Sequence, residues 1–125
     1  MKKIIFLAVV CCLAIVGVVF SSCENEQKSS YQYSVQLAAV EQDPQLCMQF
    51  ELYGLPIINE EMEKVSDQSG SIIFKDTRAN ADKRAKEAFA KGVAKVREET
   101  NNSYEGLIVC LYLADPKVEL ERVTL

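Results

Sequence analysis

The stretch Thr77–Glu99, TRANADKRAKEAFAKGVAKVREE, decides the fold. Ala, Lys, Arg and Glu dominate it, and all four are strong helix formers. Ala81, Ala85, Ala88, Phe89, Val93 and Val96 recur at the i, i+4, i+7, i+8 spacing of one helix face. Asp76 or Thr77 supplies an N-cap, and Asn101-Asn102 an exit. Gly92 lies near the apolar stripe, where a missing side chain would let the helix approach a sheet closely. The opposite face is basic and reads first as a solvated surface, with Lys83 and Glu87 placed for an i,i+4 pair.

A single long amphipathic helix needs something flat to cover, and the flanking segments supply it. Glu105–Leu113 is the most apolar segment, with Leu107, Val109, Leu111 and Leu113 on one strand face and Ile108, Cys110 and Tyr112 on the other. Asp115-Pro116-Lys117 makes a tight turn, and Val118–Leu125 reads as a last strand. Upstream, Tyr31, Tyr33, Val35 and Leu37 alternate with Gln32, Ser34 and Gln36, the period of a half-buried strand. Leu46, Met48, Phe50 and Leu52 alternate with Cys47, Gln49, Glu51 and Tyr53 in the same way. With Glu41-Gln42-Asp43-Pro44 as a turn, 31–40 and 46–53 are expected to form a hairpin that ends at Gly54-Leu55-Pro56. Ser71–Lys75 reads as a further short strand. Residues 59–66 stay open between a short helix, with Ile58, Met62 and Val65 on one side, and a strand. The sum is an α+β domain: a small antiparallel sheet with one long amphipathic helix packed on one face.

The chain of 125 residues holds no histidine, which removes the commonest general base and the commonest metal ligand. Ser-His, Cys-His and HExxH arrangements are thereby excluded. No spacing singles out a catalytic pair of carboxylates. Glu60-Glu61-Met62-Glu63 lacks the oxygen spacing of a calcium loop. No catalytic residue, metal or cofactor is therefore expected, and the chain is not read as an enzyme.

The N-terminus is organised differently. Lys2-Lys3 precede an apolar run from Ile4 to Phe20, followed by Ser21-Ser22-Cys23. A basic start, an apolar run and small residues before a cysteine are what a secretory signal requires. Phe20-Ser21-Ser22-Cys23 resembles the lipobox of bacterial lipoprotein signals, with Phe20 where an aliphatic residue is usual. That resemblance covers residues 1–23 only. It implies removal of residues 1–22 and lipidation of Cys23 with fatty acyl chains. The domain would then be held at the cell envelope on the periplasmic or outer-membrane surface. Two alternatives remain: an uncleaved anchor, since Ile4–Phe20 would span roughly 25 Å as a helix, or ordinary cleavage and secretion. Residues 23–30 read as a lipidated cysteine with a polar, flexible tether, and residues 31–125 as the folded domain. Glu24 and Glu26 also loosely resemble an export tag for the outer face of the outer membrane.

Loss of Lys2 and Lys3 with the signal leaves twelve basic residues against 18 acidic ones, a net charge of −6. Between Thr77 and Arg97 the balance is +5, so the rest of the mature chain carries −11. Such a chain is a poor partner for nucleic acid. Its expected partners are the membrane, through lipid on Cys23, and another envelope protein or an extracellular ligand.

Two surfaces are candidates for that binding role. The sheet face opposite the helix would gather Gln36, Gln49, Tyr53 and Tyr112, amide and phenol groups suited to adaptable recognition. The same face carries Cys47 and Cys110, which either bridge in an oxidising compartment or stay as free thiols. The second candidate is the basic face of the Thr77–Glu99 helix; a rival, inhibitor-like reading instead has the Gly54–Gly70 segment enter a partner's cleft as a loop.

Overall fold

A computed structural model describes residues 28–125. The signal-like segment, Cys23 and the first part of the expected tether lie outside the described residues. The elements in chain order are β1 (Ser29–Leu37), α1 (Pro44–Gln49), a π-helical turn (Phe50–Gly54), α2 (Leu55–Lys64), β2 (Ile73–Asp76), α3 (Arg78–Glu99), β3 (Ile108–Leu113) and β4 (Val118–Thr124). The four strands form one antiparallel sheet in the order β2-β1-β3-β4. This is the expected α+β class. β2 and β3 both run antiparallel to β1, so α3 is the crossover of a β–α–β unit split by the central strand.

α3 forms where its sequence predicts. The Thr77 hydroxyl caps it by accepting from the Asn80 N–H at 3.3 Å, and Asn101 and Asn102 leave it through positive φ angles of 51° and 60°. Its predicted stripe is buried throughout, from Ala81 to Val96. The stripe covers the inner faces of β1 and β3, where Tyr33, Val35, Val109, Leu111 and Leu113 point inward, and meets Phe74 of β2. Tyr33 crosses from sheet to helix and donates its hydroxyl to Asp82 Oδ1 at 2.7 Å, while Arg78 holds the other oxygen at 2.9 Å.

The segment between β1 and β2 departs from expectation, and the expected hairpin does not form. Residues 46–53 are helical, because Asp43-Pro44 is a helix start and not merely a turn. The Asp43 carboxylate accepts from the N–H groups of Gln45 and Leu46, and Pro44 occupies the first helical turn. The alternation from Leu46 to Tyr53 is a coincidence of apolar residues on two helix faces. Phe50 is fully buried, whereas Met48 and Leu52 of the supposed inner strand face are exposed. Gly54 does not end the element. It sits where an added Cβ would lie 2.5 Å from the Phe50 ring, so the π turn closes over that ring only with glycine there.

The open question at 59–66 resolves to helix as far as Lys64, with Ile58 and Met62 buried in the core; Val65, expected on the same side, lies past the helix end and is exposed. Gly54–Gly70 is therefore helical from Leu55 to Lys64 and not one long loop. Gly92 also serves a different neighbour from the one expected. A Cβ there would come within 2.9 Å of Ile58 Cα, so glycine permits close approach to α2 rather than to the sheet. The domain also begins earlier than its expected boundary, since Ser29 and Ser30 pair with Asp76 and Lys75.

The outer edge of β2 is closed by the turn that precedes it. Asp67 N–H donates to Ile73 O at 2.8 Å, and Lys75 N–H donates to Asp67 Oδ2 at 2.7 Å. Ser66 Oγ accepts from the Ile73 N–H at 2.9 Å. Arg84 clamps the Asp67 carboxylate with two hydrogen bonds of 3.1 Å and stacks over the Phe74 ring at 4.6 Å. An exposed backbone edge is thus satisfied without a further strand.

Two predictions follow from this packing. Gly92→Ala gains up to about 1 kcal/mol of helix propensity, but must push α2 and α3 apart at a backbone contact, a cost of about 1–3 kcal/mol. A net loss of stability is expected in urea unfolding, with little loss of helical circular dichroism. The Arg84 hydrogen bonds, and after them the Lys75 N–H, hold the Asp67 carboxyl below the usual carboxylate range. A depressed carboxylate stabilises the fold above its unfolded pKa and loses that contribution as pH falls through its folded value. Asp67→Asn should therefore flatten the acid limb of the stability–pH curve while leaving the loss on the alkaline side unchanged.

Candidate binding surfaces

The helices all lie on one side of the sheet, so the sheet has an outer face among the described residues that no helix covers. β1 contributes Gln32, Ser34 and Gln36 to it, and β3 contributes Ile108, Cys110 and Tyr112. Ser34 lies opposite Tyr112, and Gln36 opposite Cys110. Across β3, Cys110 faces Arg122 and Tyr112 faces Glu119 of β4. Arg122 grips Glu119 through two bonds of 2.9 and 3.1 Å. That grip first, then the nearby Cys110 thiol, lowers the Glu119 pKa.

Lys117, on the β3–β4 turn, completes the surface. Its ammonium lies 4.7 Å from the centre of the Tyr112 ring, a cation–π distance, and reaches Gln36 Oε1 at 3.4 Å. Burial first, and then the neighbouring Cys110, raises the Tyr112 pKa. The result is a phenol, an amide, an ammonium and an ion pair on one face of three neighbouring strands, β1, β3 and β4.

Only part of the predicted binding set is brought together. Gln36 and Tyr112 share the outer face as expected. Gln49 and Tyr53 do not, because their segment is helical: Gln49 ends α1 and Tyr53 lies in the π turn. Cys47 and Cys110 are likewise separated between α1 and β3, and both are free thiols in place of the bridge considered from sequence. Cys110 is fully buried and Cys47 partly exposed. Period-two alternation does not signal the Arg122–Glu119 pair, because it sets residues 119 and 122 on opposite faces; a β-bulge opposite Leu111 and Tyr112 brings them to the same one, with Lys117 on the turn before them.

The basic face of α3 is less free than its composition suggests. Arg78 pairs with Asp82, Arg84 with Asp67 and Asp76, and Lys95 with Glu61 and Glu99. Glu61 also holds Lys64 at 2.7 Å, and the Lys64 and Lys95 bonds together lower its pKa. The expected Lys83–Glu87 pair is not formed among the described residues. A shallow groove of about 390 Å³ runs between α2 and α3, lined by Glu61, Lys64, Arg84, Glu87 and Lys91. Glu61 is engaged by Lys64 on its own helix and by Lys95 of α3, and Arg84 by Asp67 and Asp76, while Glu87 and Lys91 form no ion pair among the described residues.

No family model matches the chain, and neither curated proteins nor solved structures match it.

The thiols give a direct check of this geometry. In the native protein, a maleimide should modify Cys47 at a rate near that of an accessible thiol, while Cys110 should react only on unfolding. Equal protection of both, relieved by a reductant, would indicate a bridge instead.

Proposed function

We propose that the chain is a lipid-anchored cell-envelope protein whose folded domain has a non-catalytic binding role. The lipobox-like Phe20-Ser21-Ser22-Cys23 supports the location. It would place the domain outside the cytoplasm, tied to a membrane through acyl chains on Cys23. The absence of histidine from the sequence supports a role in binding over catalysis.

The observation that carries the binding role is the outer sheet face. An antiparallel sheet with one solvated side needs no more than scattered polar residues there. Here Tyr112, Gln36, Lys117 and Arg122–Glu119 are joined by contacts into one continuous surface. Phenol and guanidinium groups held in place are what protein interfaces favour, because ordering them on binding costs little further entropy. The partner is another envelope protein or an extracellular ligand.

No helix among the described residues is long and apolar enough to cross a membrane. The location therefore turns on the N-terminal segment, and intact mass of the protein recovered from bacterial membranes tests it. A species beginning at Cys23 with added acyl mass is expected. Retention of Met1–Ser22 would make the apolar run an anchor, and an unacylated soluble species would mean secretion; either overturns the lipoprotein reading.

A further inference from the structure

The helical turn that replaces the expected second strand leaves three large apolar side chains in solvent. Met48 is 57% exposed, Leu52 62% and Tyr53 65%. In a π turn the backbone bond runs from residue i to i+5, here from the Leu55 N–H to Phe50 O. One wide turn therefore places both Leu52 and Tyr53 beside Met48 along the helix surface. The turn is also fixed from beneath. Phe50 packs edge-on against Tyr104 at 5.4 Å, and the Tyr104 hydroxyl donates to Gln49 O at 3.3 Å.

Anchoring Phe50 explains the inner side of this element but not its outer side, where polar residues would satisfy the fold equally well. π turns inserted in helices are frequent at functional sites. Met and Tyr are the side chains of adaptable binding surfaces.

Charge identifies what would sit there. From Ser29 to Glu63 the sequence has no Lys or Arg and six acids. Glu51 is exposed within the apolar group, and Glu41 and Asp43 are exposed at the start of α1. Among the described residues none of these three takes part in an ion pair, whereas Arg78, Arg84 and Lys95 of α3 each find carboxylates. An apolar ridge inside an unneutralised acidic field repels anionic surfaces and attracts cations.

We infer that Met48, Leu52 and Tyr53, with the exposed Glu51 among them and Glu41 and Asp43 at the start of the same helical segment, form a docking surface for a cationic amphipathic segment of a partner protein. The segment's apolar side chains cover the three exposed groups, and its Lys or Arg side chains meet the carboxylates. This surface is separate from the outer sheet face and does not depend on it.

Fluorescence anisotropy tests the inference with the full-length protein in non-ionic detergent. The probe is a labelled synthetic peptide of leucine and lysine at helical spacing, with a leucine–glutamate peptide as its counterpart. Saturable binding of the cationic peptide alone is expected. Leu52→Ala with Tyr53→Ala should weaken it by about tenfold, the effect of losing roughly 1.4 kcal/mol of apolar contact. Glu51→Lys, a surface change that leaves the core untouched, should also weaken it and reduce its salt dependence. Equal binding of both peptides, or binding indifferent to these substitutions, overturns the inference. So does sedimentation showing self-association of the wild type that Glu51→Lys dissolves, since the face would then belong to a second copy.

Discussion

The contact between Gly92 of α3 and Ile58 of α2 is the constraint on which the rest of this structure depends. The inner face of the sheet is too broad for α3 alone. A second helix shares it, and a missing side chain at the crossing lets two helices approach more closely than larger residues allow. Glycine at 92 provides that gap, and Ile58 fills it with its Cα and branched Cβ. Once α2 is seated, Ile58 and Met62 join Phe89, Val93, Phe74 and Val35 in one core. The chain from β1 must then reach the start of α2 on the helical side of the sheet. It does so as α1 and the π turn, with Phe50 as the plug between α2 and Tyr104.

How much of this was readable follows from which signals compete. In Thr77–Glu99 propensity, stripe and caps agree, so the helix and its buried face are legible residue by residue. The same holds for Tyr31–Leu37 and Ile108–Leu113, where alternation coincides with β-branched and aromatic content. Leu46–Tyr53 is different, because two periods fit it. The strand period gives Leu46, Met48, Phe50 and Leu52; the helical period gives Leu46, Phe50 and Gly54. The local arbiter was Asp43-Pro44, which caps and opens a helix as readily as it forms a turn. What settled the matter lies elsewhere in the chain: Tyr104 and α2 need a phenyl ring between them, and one sequence pattern cannot show that. The fate of the binding set follows from this one segment. Gln36 and Tyr112 come from strands read correctly, while Gln49 and Tyr53 inherit the misassigned period.

Charge in this domain is distributed according to what it must hold together. Arg84 ties α3 to the turn at Asp67 and to Asp76 of β2, Lys95 ties it to α2 through Glu61, and Arg97 reaches Thr124 O of β4 at 2.9 Å. Each pair is partly exposed, and such pairs individually contribute little stability. Their placement matters more than their strength, since they join α3 to three different neighbours and fix its rotation over the sheet. Arg84 also completes the closure of the β2 edge by orienting Asp67.

That use of the basic residues has a consequence for recognition. A cluster with net charge +5 would ordinarily mark α3 as the surface that meets an anionic partner. Here its arginines are engaged internally, and Lys83, Lys86 and Lys91 remain as separated solvent-facing charges interleaved with Ala79, Ala90 and Ala94. The carboxylates that α3 recruits come from α2, β2 and their connecting turn, but none from α1 or the π turn. Neutralisation therefore stops at the boundary of the scaffold. Beyond it, Glu41, Asp43 and Glu51 have no ion-pair partner among the described residues, and Glu51 stands beside the exposed Leu52. The outer side of α1 and the π turn thus combines carboxylates without ion-pair partners and uncovered apolar surface, which is the combination that association with another molecule can relieve.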